Sequence, residues 1–102
     1  MSVSQDYLDR LLARLGVWAP VTARRMFGGA GLYSEGRIFG VVDDDRVYFK
    51  VDDVDRPAYE AAGSLPFRPY GDAGYSMSYY EVPGVVMDDD RLGEWIERAL
   101  AA

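Results

Sequence analysis

Apolar residues recur at helical spacing at the start of the chain: Tyr7, Leu8, Leu11, Leu12 and Leu15 alternate with Asp6, Asp9, Arg10 and Arg14. That period predicts an amphipathic first helix. Ser4 has the chemistry of an N-cap, and Gly16 that of a C′ residue. Pro20 then ends any helix and biases Ala19 toward extended geometry.

From Val21 to Val51 the period changes from helix-like to strand-like. Arg24 to Phe27, Gly31 to Tyr33, Arg37 to Val42 and Arg46 to Val51 read as short strands. The turn signals between them are Gly28-Gly29, Ser34-Glu35-Gly36 and Asp43-Asp44-Asp45. In the last strand Val47, Phe49 and Val51 share one face while Tyr48 and Lys50 share the other. Connections this short are hairpins, because a parallel crossover needs about a dozen residues or more.

Asp53 or Asp55 as cap, Pro57 in the first turn and Gly63 at the end predict a short second helix. Phe67 to Tyr70 and Tyr75 to Val82 read as two further strands around the turn Gly71-Asp72-Ala73-Gly74, the first an edge element because of Pro66 and Pro69. Within the second, Met77 and Tyr79 oppose Ser78 and Tyr80, so one tyrosine is more exposed than the other. Asp88-Asp89-Asp90 caps a last helix whose Leu92, Trp95, Ile96, Ala99 and Leu100 form one stripe. The resulting order is α-β-β-β-β-α-β-β-α. It predicts a single two-layer α+β domain over residues 1–102, an antiparallel sheet with helices mainly on one face.

Composition narrows the chemistry. The 102 residues contain no cysteine and no histidine, which excludes disulfides, thiol nucleophiles, Cys/His zinc sites and Ser-His-Asp triads. A non-enzyme without cofactor is the expectation. No apolar run reaches the roughly 20 residues that span a bilayer, so no membrane role is expected. The N-terminus lacks the regions of a secretory signal, so a cytoplasmic location is expected. The net charge of −6 opposes binding to phosphates except through a local basic face. Direct DNA binding is therefore not expected. Positive charge is weighted toward Arg10, Arg14, Arg24, Arg25 and Arg37, and the aspartate runs come later. Those runs lack the glycine and glutamate placement of a calcium loop, so no metal site is expected.

The run Arg24-Arg25-Met26-Phe27-Gly28-Gly29-Ala30-Gly31-Leu32-Tyr33 carries the main candidate site. One reading is a tight hairpin or bulge. The other is an anion or partner site built from Arg24, Arg25, Gly28, Gly29 and Gly31, with backbone N–H groups beside a guanidinium. The spacing matches no phosphate-loop fingerprint. On a strand the two arginines point to opposite faces, so one at most joins the glycines, and the other is expected to pair with a carboxylate.

Several segments together resemble the N-terminal domain of the TfoX/Sxy family. They are Val21 to Gly29 with Gly31-Leu32-Tyr33, Tyr48-Phe49-Lys50-Val51-Asp52, Arg56-Pro57, Tyr59-Glu60-Ala61-Ala62-Gly63, Pro66-Phe67, and Met77-Ser78-Tyr79-Tyr80-Glu81-Val82-Pro83. Order and spacing are kept from about Leu11 to Ala101. The resemblance implies helices packed on an antiparallel sheet. It also implies regulation through protein partners, since the family is named for competence regulators that promote transcription of DNA-uptake genes together with the cyclic-AMP receptor protein. Those regulators carry a second, C-terminal domain as well, which this resemblance does not cover. No catalytic residue is implied. Self-association as a homodimer is left open by the sequence.

Overall fold

The computed structural model describes residues 3–26, 29–67 and 78–102. Helix α1 spans Gln5–Leu15, and the Ser4 hydroxyl accepts a hydrogen bond from the Tyr7 N–H at 3.1 Å. Its buried stripe is Leu8, Leu11 and Leu15. Gly16 does not take the left-handed conformation of a C′ glycine. Its φ is −62°, and the Trp18 N–H bonds back to the Leu15 carbonyl, so the helix unwinds through a further turn before Pro20.

Four strands follow: β1 (Thr22–Met26), β2 (Gly29–Ser34), β3 (Arg37–Asp43) and β4 (Arg46–Lys50). With β5 (Tyr79–Glu81) they form one antiparallel sheet in the order β1-β2-β3-β4-β5. Asp44 and Asp45 both have positive φ, 51° and 57°, the pairing that twists a two-residue hairpin correctly. Register slips once, between Leu32 and Tyr33: Leu32 faces Gly40 and Tyr33 faces Ile38. The bulge leaves Phe39 without a partner on β2 and turns its ring into the core, 5.7 Å from that of Phe49.

The alternation expected of β4 is observed. Val47, Phe49 and Val51 are buried against the helices, while Tyr48 packs with Val41, Phe67 and Tyr79 on the opposite face. Tyr79 is likewise more buried than Tyr80.

Helix α2 (Arg56–Ala61) carries its proline in the first turn, and Gly63 follows it at φ 80°. Asp55 takes the N-cap position, one of the two expected, but makes no side-chain cap bond. In the turn before it, Asp52 accepts from the N–H groups of Val54 and Asp55 at 3.0 and 2.9 Å. Beyond α2, Pro66 bridges to Tyr80, and the Phe67 N–H donates to the Tyr79 carbonyl at 2.7 Å. Most of the strand expected over Phe67 to Tyr70, the turn Gly71 to Gly74, and the start of the strand at Tyr75 lie outside the described residues.

A one-turn helix, α3 (Gly84–Met87), is additional to the expected order; it starts at Pro83 and buries Val86. The last helix, α4, spans Leu92–Ala101 and buries Leu92, Ile96 and Ala99. The fold is therefore α+β, with a five-stranded antiparallel sheet whose core lies between one face and the helices. Arg14 braces α1 to the α3–α4 turn, donating to the carbonyls of Met87 (3.3 Å) and Asp89 (3.1 Å), with its guanidinium 5.0 Å from the Trp18 ring centroid.

Within the aspartate run, Asp89 is the residue that organises the entry to α4. Its carboxylate accepts from the Arg91 N–H at 2.7 Å and pairs with the Arg91 side chain at 3.2 Å. The backbone bond foremost, then the guanidinium, holds its pKa below the ordinary 3.8. A carboxylate depressed in the folded state contributes stability that is complete above its unfolded pKa and is lost as pH falls through the folded value. Thermal midpoints of the wild type and Asp89→Ala, followed against pH, should differ at neutrality and converge below the ordinary carboxylate range.

Candidate functional site

The β1–β2 hairpin places the arginine–glycine run on the edge of the sheet. Thr22 faces Tyr33, Arg24 faces Gly31, and Arg25 faces Ala30. Alternation sends the arginines to opposite faces, as the sequence requires. Arg25 lies on the helix side and donates to the Val3 carbonyl at 2.9 Å and to Gln5 Oε1 at 3.2 Å. Its partners among the described residues are neutral oxygens of the segment leading into α1, in place of the carboxylate expected there. Arg24 lies on the other face, exposed, with its guanidinium 5.6 Å from the Tyr33 ring centroid.

Gly29 and Gly31 are both buried within β2. A Cβ on Gly29 would collide with the Val42 carbonyl oxygen and lie 3.2 Å from its carbon. Gly31 sits directly across from Arg24. Of the candidate set, the hairpin thus brings Arg24 and Gly31 together on one face and turns Arg25 away. Gly28, with Phe27, lies outside the described residues.

A second cluster lies between α2 and α4. Asp55, Ala58, Tyr59, Glu94, Trp95 and Arg98 line a pocket of about 130 Å³. The Tyr59 and Trp95 rings meet edge to face, with centroids 4.5 Å apart and planes at 71°. Arg98 spans two carboxylates, Asp55 at 3.4 Å and Glu94 at 3.1 Å. Burial foremost, then the neighbouring Asp55 charge, pushes the Tyr59 hydroxyl well above its ordinary pKa, so it stays a neutral donor across the physiological range. The sequence signal for this cluster is the helical spacing of Asp55 with Tyr59 and of Glu94 with Arg98. That spacing becomes informative only when the two helices are known to meet. Among the described residues, no three His, Cys, Asp or Glu side chains converge to hold a metal ion. No helix among them is long and apolar enough to cross a membrane.

The sequence model of the TfoX N-terminal domain matches residues 10–102. The chain belongs to the TfoX N-terminal domain family. The match runs from the middle of α1 through α4, so the arginine-bearing hairpin and the α2–α4 pocket both lie inside the TfoX N-terminal domain. Comparison with curated proteins finds no match.

Proposed function

We propose that this TfoX N-terminal domain is a non-enzymatic protein-interaction module that acts in transcriptional control, as a cytoplasmic protein, through protein partners. The observation that supports this reading is the outer edge of β1, which no strand among the described residues covers. At the far side of the sheet, Leu65 to Phe67 covers β5 through bonds to Tyr79 and Glu81. At β1, no backbone hydrogen bond among the described residues reaches the outer side. An extended partner segment can add there as a sixth strand, with main-chain bonds supplying affinity and side-chain pairs supplying selection.

Arg24 sets that selection. It is exposed, and no carboxylate pairs with it among the described residues, so an acidic residue opposite it is the natural complement. A second copy in the same place would bring the arginines of both edges together, which disfavours a homodimer through β1. An anion held by Arg24 above Gly31 remains the alternative use of the same guanidinium. Binding of duplex DNA is opposed by the net charge of −6.

The test is chemical crosslinking in extract of the native host, followed by mass spectrometry, with the wild type, Arg24→Glu and Arg25→Ala. A partner crosslinked near β1 should be lost with Arg24→Glu, a surface change expected to alter stability by about 0.5 kcal/mol or less. Arg25→Ala should cost about 1 kcal/mol through its two lost hydrogen bonds yet retain the partner. Salt-sensitive, tight binding of random duplex DNA by the isolated chain would overturn the protein-partner reading. Thermal stabilisation by phosphorylated metabolites that disappears in Arg24→Glu would favour the anion alternative.

A further inference from the structure

The Asp55 carboxylate is not used for local structure. It occupies the N-cap position of α2 but makes no cap hydrogen bond, and the turn leading to it is held by Asp52. Its side chain is only 10% exposed, and its partner among the described residues is Arg98, through one oxygen at 3.4 Å. Arg98 is itself 52% exposed and shares its guanidinium with Glu94, which is 61% exposed. A buried carboxylate needs a cation close by, whereas a long, half-exposed arginine divided between two acids is a weakly held one.

The walls beside this ion pair are aromatic. Tyr59 and Trp95 form an edge-to-face corner with planes at 71°, and Ala58 lines the same pocket of about 130 Å³. Two carboxylates and two rings against one guanidinium favour a compact cation, which ring faces and carboxylate oxygens both attract. An anion reaching Arg98 would meet Asp55 and Glu94 as well. A divalent metal would find two acidic groups here, fewer oxygens than such ions take from a dedicated site.

We propose that the α2–α4 pocket binds an alkylammonium head group, with Asp55 as its ion-pair partner, Glu94 at the rim, the Tyr59–Trp95 corner as its wall, and Arg98 as the internal cation that it displaces. The pocket belongs to the helical layer, where α4 packs on β3 and β4, and the inference does not depend on the use of β1. A free amine and the lysine side chain of a partner present the same head group.

The test is NMR titration of the whole chain with butylammonium chloride and, separately, with a lysine residue blocked at both ends, each against sodium chloride at equal ionic strength. Saturable shifts are expected at Asp55, Tyr59, Glu94, Trp95 and Arg98. Asp55→Asn should weaken binding about tenfold or more. Trp95→Leu, which leaves the charges in place, should weaken it about threefold through the lost ring face. Arg98→Gln, which keeps a donor for Asp55 but removes the competing charge, should tighten it. Binding of both ligands identifies a site for free amines; binding of the blocked lysine alone identifies a partner's side chain. The proposal is overturned if the shifts match those of sodium chloride, if they are unchanged in both folded Asp55→Asn and Trp95→Leu, or if acetate moves the same resonances more strongly than the amine does.

Discussion

Phe49→Ala should destabilise the domain by about 3 to 5 kcal/mol, the range for truncating a fully buried aromatic side chain. Phe49 is completely inaccessible at the centre of the helix-facing side of the sheet. It lies between Gly40 on β3 and Tyr80 on β5, with the Phe39 ring 5.7 Å away. Removing it takes the contact surface from strands on both sides, and neither hydrogen-bonded strand can close the gap. Because small domains have about 5 to 15 kcal/mol of stability in all, this one change consumes a large share. A fall in thermal midpoint of about 15 to 30 °C follows from the entropy of unfolding of a chain this size. Urea denaturation of Phe49→Ala beside Val54→Ala checks the result. Val54 is 82% exposed, so its truncation should move stability by about 0.5 kcal/mol or less. A cost for Phe49→Ala as small as that of Val54→Ala would mean that the core does not lie on this side of the sheet.

The burial of Phe49 is legible in the sequence because strand alternation is a local signal. Val47, Phe49 and Val51 alternate with Tyr48 and Lys50, and the aspartates at 43 to 45 fix the turn that aligns them with β3. The Ser4 cap is legible for the same reason, since the residues that define it lie within one helical turn. Features set by contacts across the chain are not. α3 is one turn long and holds two valines, too short and too β-branched for any periodicity to mark; burial of Val86 and the lead from Pro83 are what form it. Asp55 is legible as the cap position of α2, but that its side chain makes no cap bond while Asp52 holds the preceding turn depends on where the chain leaves β4. Asp55 is drawn instead to Arg98, 43 positions away. Arg25 takes its partners from the segment 20 and 22 positions upstream, a meeting that only the packing of α1 against β1 brings about. The candidate residues at the hairpin were thus legible as a group, and their division between two faces was legible as well. What each face holds was not.

Gly29→Ala should destabilise the domain by about 3 kcal/mol, at the upper end of what overpacking a well-packed interior costs. The reason is contact. The added methyl group would strike the Val42 carbonyl oxygen and lie 3.2 Å from the Val42 carbon and 3.3 Å from the Asp43 Cα. All three are backbone atoms of β3, which cannot rotate away as a side chain can; either β2 lifts from β3 or the ladder between them breaks. The same substitution separates two uses of a glycine-rich run. A glycine present to let a ligand approach would tolerate alanine in the unliganded protein and lose affinity. A glycine present to let two strands approach would lose stability with no ligand added. Equilibrium denaturation of Gly29→Ala without any ligand reads this directly. A change within about 0.5 kcal/mol of wild type would contradict the strand-packing role, whereas the full loss would assign this glycine to the sheet and leave Arg24, across from Gly31, as the member of the run that faces outward.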